Sequence, residues 1–234
     1  MLKEKIKNLT LIFLTISVFL CIINFRNDIA SIVSKKENLE EISLLIDAGH
    51  GGQDGGAVSS NGVAEADINL GISQKTQLIA SFIGIPSKLT RTDENSLNFS
   101  SENTLKENKN SDLKARVALA KEYRSADFVS IHLNKFSDRR YFGAQVFHKN
   151  DSSSVLLAQE IQKSLYIIDE NNTREAKSVP NANYIMENIP NTGVIVECGF
   201  LSNEREEQLL QNADYHVKLA MSIVGGYTGY KYNR

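Results

Sequence analysis

From residue 43 onward the chain alternates between two hydrophobic periods, and that alternation restricts its fold more than any other feature. Short apolar, β-branched runs occur at 43–47, 87–91, 128–134, 144–148 and 193–198. Their length and composition predict mostly buried strands. Between them lie helical patterns at 66–82, 112–124, 153–168, 204–211 and 214–227, with apolar residues recurring at the spacing of one helix face. Strand and helix in alternation predict one α/β domain around a largely parallel or mixed sheet. Residues 93–111 carry no period and read as an exposed loop.

The first forty residues are of a different kind. Lys3, Lys5 and Lys7 precede an uncharged, mostly apolar stretch at 9–25, closed by Arg26, Asn27 and Asp28. Its length is at the low end for a membrane span, and basic residues before such a span stay in the cytoplasm. The body is therefore expected to be exported. No small-x-small cleavage site follows, which favours a signal anchor over residues 1–26 rather than a signal peptide. Cys21 reads as an apolar residue of that segment, because the bulky Leu20 beside it does not suit a lipoprotein signal. Residues 27–42 are polar and read as a linker. Beyond them the single cysteine, Cys198, allows no internal disulfide. A formal net charge of −2 with scattered basic residues sets nucleic acid aside as a partner.

The first strand runs into LLIDAGHGGQDGGA, where five glycines surround His50 between Gly49 and Gly56. Glycine serves where backbone turns tightly or lies close to something else, so the cluster suggests a site. His132 lies in the run FVSIHLN, and in an α/β sheet the carboxyl ends of parallel strands form one ligand-binding rim. Two carboxylates join the histidines: Glu65 at the head of the first long helix and Glu197 at the end of GVIVE. Two imidazoles and a carboxylate are one ligand set of catalytic zinc, and a further carboxylate can take a proton from water. The same residues also suit a hydrogen-bonded core histidine and a glutamate at a helix dipole. Asp47 is expected to tie the glycine loop, while His148 and His216 read as surface or interface histidines. Cys198 offers a rival nucleophile, but its acidic and apolar neighbours would raise a thiol pKa. Arg91 and Arg116 suit either substrate carboxylates or ion pairs with residues such as Asp93 and Asp112.

The motifs IDAGHGGQDGGA, LTRTDE, LKARVALA, SADFVSIHLN, GAQVFH and VIVECGFLSN, with Glu65 between the first two, follow in order across nearly the whole body. Together they resemble the zinc-dependent N-acetylmuramoyl-L-alanine amidases of the type 3 amidase family. The resemblance implies a catalytic domain over 43–230 with a six-stranded, mostly parallel sheet flanked by helices. It implies Zn2+ held by His50, Glu65 and His132, with Glu197 as general base. The reaction implied is hydrolysis of the amide between N-acetylmuramic acid and L-alanine in a peptidoglycan glycan strand with stem peptides. The glycines would keep side chains clear of the metal, on a rim open to that strand. Cys198 stands where many relatives carry Leu or Thr. Some relatives hold an inhibitory helix between the second histidine and the glutamate. Here that stretch reads as one strand, one helix, a polar loop around 171–183 and the final strand, without room for one.

A membrane segment, a linker and an enzyme without wall-binding modules resemble the amidases of spore formers that act on cortex peptidoglycan and prepare muramic-δ-lactam for germination. An accessory targeting or activating protein is then expected, on the outer face of the cytoplasmic membrane or in the wall compartment, the forespore intermembrane space included. Two other classes share these residues: a metal-free peptidoglycan-binding domain, and a zinc peptidase cutting within the stem peptide.

Overall fold

The computed structural model describes residues 42–180 and 183–233. The expected anchor at 1–26 and all but the last residue of the linker lie outside them. Among the described residues no helix is long and apolar enough to cross a membrane.

The chain forms β1 (Leu44–Ala48), α1 (Glu65–Phe82), β2 (Ser87–Leu89), α2 (Leu105–Glu122), β3 (Asp127–Asn134), β4 (Gln145–His148), α3 (Ser152–Leu165), β5 (Lys177–Ser178), α4 (Tyr184–Asn188), β6 (Gly193–Phe200), α5 (Glu204–Leu210) and α6 (Ala213–Tyr232). The strands make one six-stranded sheet in the order β2-β1-β3-β6-β4-β5. All neighbours are parallel except β4 and β6, so the α/β fold with a mostly parallel sheet is as expected.

Side chains alternate across the strands and sort the core into two layers. Leu44, Ile46, Val129, Ile131, Val194 and Val196 face a cluster built with Ile72 of α1, Ile161 of α3 and Ile223 of α6. Leu45, Phe128 and Ile195 face the opposite way, toward Val117 and Ala120 of α2 and Ile185 and Met186 of α4. By the same period of two, Asp47, Ser130, His132 and Glu197 belong to the α2 side. The central strands are thus apolar on both faces below, and polar on one face at their carboxyl ends.

Four elements differ from the sequence reading. The helix α2 starts at Leu105, within the stretch expected to be loop, because Thr104 and Glu107 close a reciprocal capping box. Thr104→Ala should cost about 1 kcal/mol, read as a fall of roughly 2–4 °C in the thermal midpoint. The strand β5 and helix α4 are two and five residues long, too short to show a period. The stretch between His132 and Glu197 therefore contains a second helix, whose Ile185 and Met186 pack into the core. Finally, β6 continues to Phe200, which sets Glu197 inside the strand rather than at its end.

Candidate metal centre

The chain leaves β1 into a loop that folds back on α1. Its carbonyls at Ala57 and Gly55 accept from the Glu65 and Ala66 amides, which no side chain caps. The Ala57 amide in turn donates to Glu65 Oε2 at 2.8 Å. The helix start that carries Glu65 is thus built by the loop that carries His50.

Four of the five glycines divide into two groups, while Gly55 has room for a side chain. A Cβ at Gly49 would run into the His132 ring, and one at Gly56 would meet Glu65 Oε2 and the His50 ring. Those two keep the site clear, as expected. Gly51 and Gly52 instead face Asn95 and Ser96, and both have positive φ, so they let the 93–104 loop lie on the glycine loop. His50 itself sits at φ 61°, a left-handed conformation that a non-glycine residue rarely adopts.

His50, Glu65 and His132 come together, with one ligand atom from each within 4.8 Å of the others. Glu65 Oε1 lies 3.4 Å from His50 Nε2 and 3.0 Å from His132 Nδ1. Tetrahedral zinc with bonds of about 2.0–2.2 Å places its ligand atoms roughly 3.4 Å apart. The donors and their spacing therefore fit such an ion. Burial opposes ionisation of Glu65, but hydrogen bonds from His132 and His50 hold its carboxyl well below the usual range. Burial likewise opposes protonation of His50, and Asp54 and Glu65 outweigh it, raising the pKa to about 9. A cation among these three groups answers the charge that a proton otherwise answers.

Supporting residues fix each donor. The His50 Nδ1–H donates to Asp54 at 3.0 Å, and Lys109 pairs with the same carboxylate at 3.1 Å. Asn69 donates to Glu65 Oε1 at 3.2 Å and to the Gly49 carbonyl at 3.2 Å. Sequence reasoning missed Asp54 and Asn69, yet each lies four residues after the ligand it supports. A histidine and a carboxylate in one short loop, and two polar residues one helical turn apart, are signals that could have found them.

Beneath the loop, two arginines grip its carbonyls. Arg116 donates to Ala48 O at 2.7 Å and His50 O at 2.6 Å. Arg91 donates to Ala48 O at 2.9 Å and Gly49 O at 3.1 Å. Asp47 pairs with Arg116 and accepts from Ser130 and Thr90, while Asp112 pairs with the other side of Arg116. Both guanidiniums are buried, so neither reaches substrate. The ion-pair reading holds for Arg116; Arg91 binds only carbonyls, that of Asp93 among them.

Glu197 is the direct register partner of His132 on the neighbouring strand. Its Oε2 is buried without a hydrogen-bond partner. Burial pushes its pKa up to about 7, against the pull of His132. The adjacent Cys198 is fully buried, and burial holds its thiol above the usual range, which removes it as a nucleophile. His148 and His216, expected as surface or interface histidines, are both buried within the domain. One nitrogen of each ring meets a carbonyl, Nδ1 of His148 at Lys149 O and Nε2 of His216 at Leu210 O. Asp47 ties the loop only indirectly, by holding Arg116, which donates to the His50 carbonyl.

Two histidines at the carboxyl ends of parallel strands and a glutamate at the head of α1, beside a buried carboxylate of raised pKa, have the make-up of a metal-dependent hydrolase. Residues 44–228 match the family described as N-acetylmuramoyl-L-alanine amidase. The chain belongs to that family, and it is an enzyme of that class, a peptidoglycan amidase. It is 32% identical over 192 residues to a germination-specific N-acetylmuramoyl-L-alanine amidase of Bacillus subtilis (strain 168), covering 80% of this chain and 78% of the relative. Its fold is similar to that of the CwlD amidase from Clostridioides difficile, solved in complex with the GerS lipoprotein. That likeness has a TM-score of 0.79 and 36% identity, over 82% of this chain and 100% of the other. An N-acetylmuramoyl-L-alanine amidase from Clostridium difficile 630 is similar at TM-score 0.71 and 28% identity, over 83% and 99%.

Proposed function

We propose that the chain is a zinc amidase that cuts between N-acetylmuramic acid and L-alanine, with His50, Glu65 and His132 holding the metal and Glu197 acting as general base. The observation that carries this reading is the convergence of the three ligand atoms within 4.8 Å, with Glu197 in register beside His132. A zinc ion bound there supplies Lewis acidity, polarising a carbonyl oxygen and making water more acidic.

The chain's own residues do the rest. Glu197, as carboxylate, takes the proton from the attacking water and returns it to the departing amine. Asp54 and Asn69 keep His50 and Glu65 from swinging toward solvent. Gly49 and Gly56 leave room for a donor atom where a methyl group would stand.

The domain is read as 43–230, after an anchor at 1–26 and a linker at 27–42, which places the enzyme outside the cytoplasmic membrane. The germination-specific relative supports a role in germination, which we read as action on spore cortex. The neighbour's complex with a lipoprotein supports an accessory protein as partner.

The test is release of new L-alanine amino groups from purified peptidoglycan by the full-length chain with added zinc. Expected is release that needs about one zinc per chain and is lost, together with the bound zinc, in His132→Ala and Glu65→Gln. New amino groups from other residues would indicate a peptidase acting within the stem. Retention of peptidoglycan without release or bound metal would indicate a binding domain.

A further inference from the structure

Beside Glu197, toward β4 and the segment after β5, lies a cavity of about 370 Å³, which Asn134 and Phe136 also line. Its floor is a cross-strand pair, Ile195 of β6 opposite Phe147 of β4. Ile195 stands two residues before Glu197 and so shares its face of the sheet. Val179 and Pro180 wall the cavity, and Asn183 lines it as well. Glu197 borders this space, whereas His50, Glu65 and His132 do not.

We propose that this cavity receives the leaving peptide: the short apolar side chain of its first residue on the Ile195–Phe147 floor, and the next peptide group against Asn134 and Asn183. The proposal rests on the amidase reading with Glu197 as base. A group that returns a proton to the leaving nitrogen must come within about 2.6–3.2 Å of it. The Cα bonded to that nitrogen is then one covalent bond further from Glu197. The acyl half of the scissile amide belongs on the metal-ligand side, so the amine half extends the other way, into the cavity.

The lining suits that occupant. Five apolar side chains, Phe136 among them, accept a methyl-sized group, and among the described lining residues there is no lysine, arginine or histidine to hold a carboxylate. Asn183 spends its Oδ1 on the Met186 amide, which leaves its Nδ2 as donor for a peptide carbonyl.

The proposal is tested with the zinc-loaded full-length chain and N-acetylmuramoyl-L-alanyl-D-isoglutamine as substrate. The two product halves serve as separate ligands. Val179→Phe fills the cavity from a loop. It should raise KM about tenfold and weaken inhibition by L-alanyl-D-isoglutamine to a similar extent, with bound zinc, thermal midpoint and inhibition by N-acetylmuramic acid unchanged. Phe147→Ala enlarges the floor and should shift preference about tenfold toward a substrate with L-leucine in place of L-alanine. Unchanged peptide inhibition in Val179→Phe, or weakened inhibition by the sugar instead, overturns the proposal. Failure of the wild type to release L-alanine overturns the amidase reading, while calorimetric binding of the two halves still reports on the cavity.

Discussion

Arg116→Met should unfold at a midpoint about 6–20 °C below the parent and hold its metal about 10- to 100-fold more weakly. The stability loss follows from burial. Arg116 is 1% exposed and lies between Asp47 and Asp112, with Asp47 fully buried. Burial alone would raise the Asp47 pKa, and Arg116, Ser130 and Thr90 together hold it below the usual range. Removing the guanidinium strands a buried charge, a change that costs about 3–5 kcal/mol. At roughly 2–4 °C per kcal/mol for a domain of this size, that is the predicted fall.

The metal effect has a separate cause. Arg116 holds the carbonyl of His50, whose left-handed backbone has little intrinsic preference for that state. Loss of a group that orients a metal ligand typically weakens binding by the stated factor. Competition with a chromophoric chelator measures it. A control, Leu157→Ala, removes core volume behind the opposite face of the sheet; it should lower the midpoint and leave metal affinity alone. If Arg116→Met lost stability but bound zinc as tightly as the parent, its guanidinium would be a fold element only.

The layered architecture was legible because strands buried on both faces read as continuous apolar runs, and Leu44–Ala48 and the first residues of Asp127–Asn134 are such strands. Their carboxyl ends were legible because polar residues break those runs there. His132, Glu197 and the glycine loop therefore stood out against their strands. What was hidden depends on folding of distant segments. Nothing near Arg91 or Arg116 in sequence indicates that both reach the carbonyls of residues 48–50, some forty and sixty-odd residues away. The burial of His216 arises because Gly71 of α1 lets that helix come against its ring. The cavity beside Glu197 is walled by β4, β6 and the segment after β5, and β5 itself pairs too few residues to leave a pattern.

Glu197→Gln should reduce kcat by about 10²–10⁴-fold, the usual worth of a positioned acid or base, while leaving about one zinc bound. The substitution keeps shape and volume and removes only the ability to take and return a proton. Glu197 is not among the three residues whose donor atoms converge, so metal content separates this variant from those at His132 and Glu65. A second readout concerns stability in the metal-free protein. Burial raises the folded pKa of Glu197 to about 7, above its ordinary carboxylate value of 4.5. A carboxyl with a raised folded pKa destabilises the fold wherever the unfolded chain would release its proton more readily. That cost is absent below about pH 4, grows between the two values, and is complete above about pH 7. The glutamine, which does not titrate, should therefore match the parent in acid and exceed it in unfolding midpoint at pH 8. Parallel pH profiles for the two proteins would mean that Glu197 is solvated in the folded state, and its assignment as a base tuned by burial would fall.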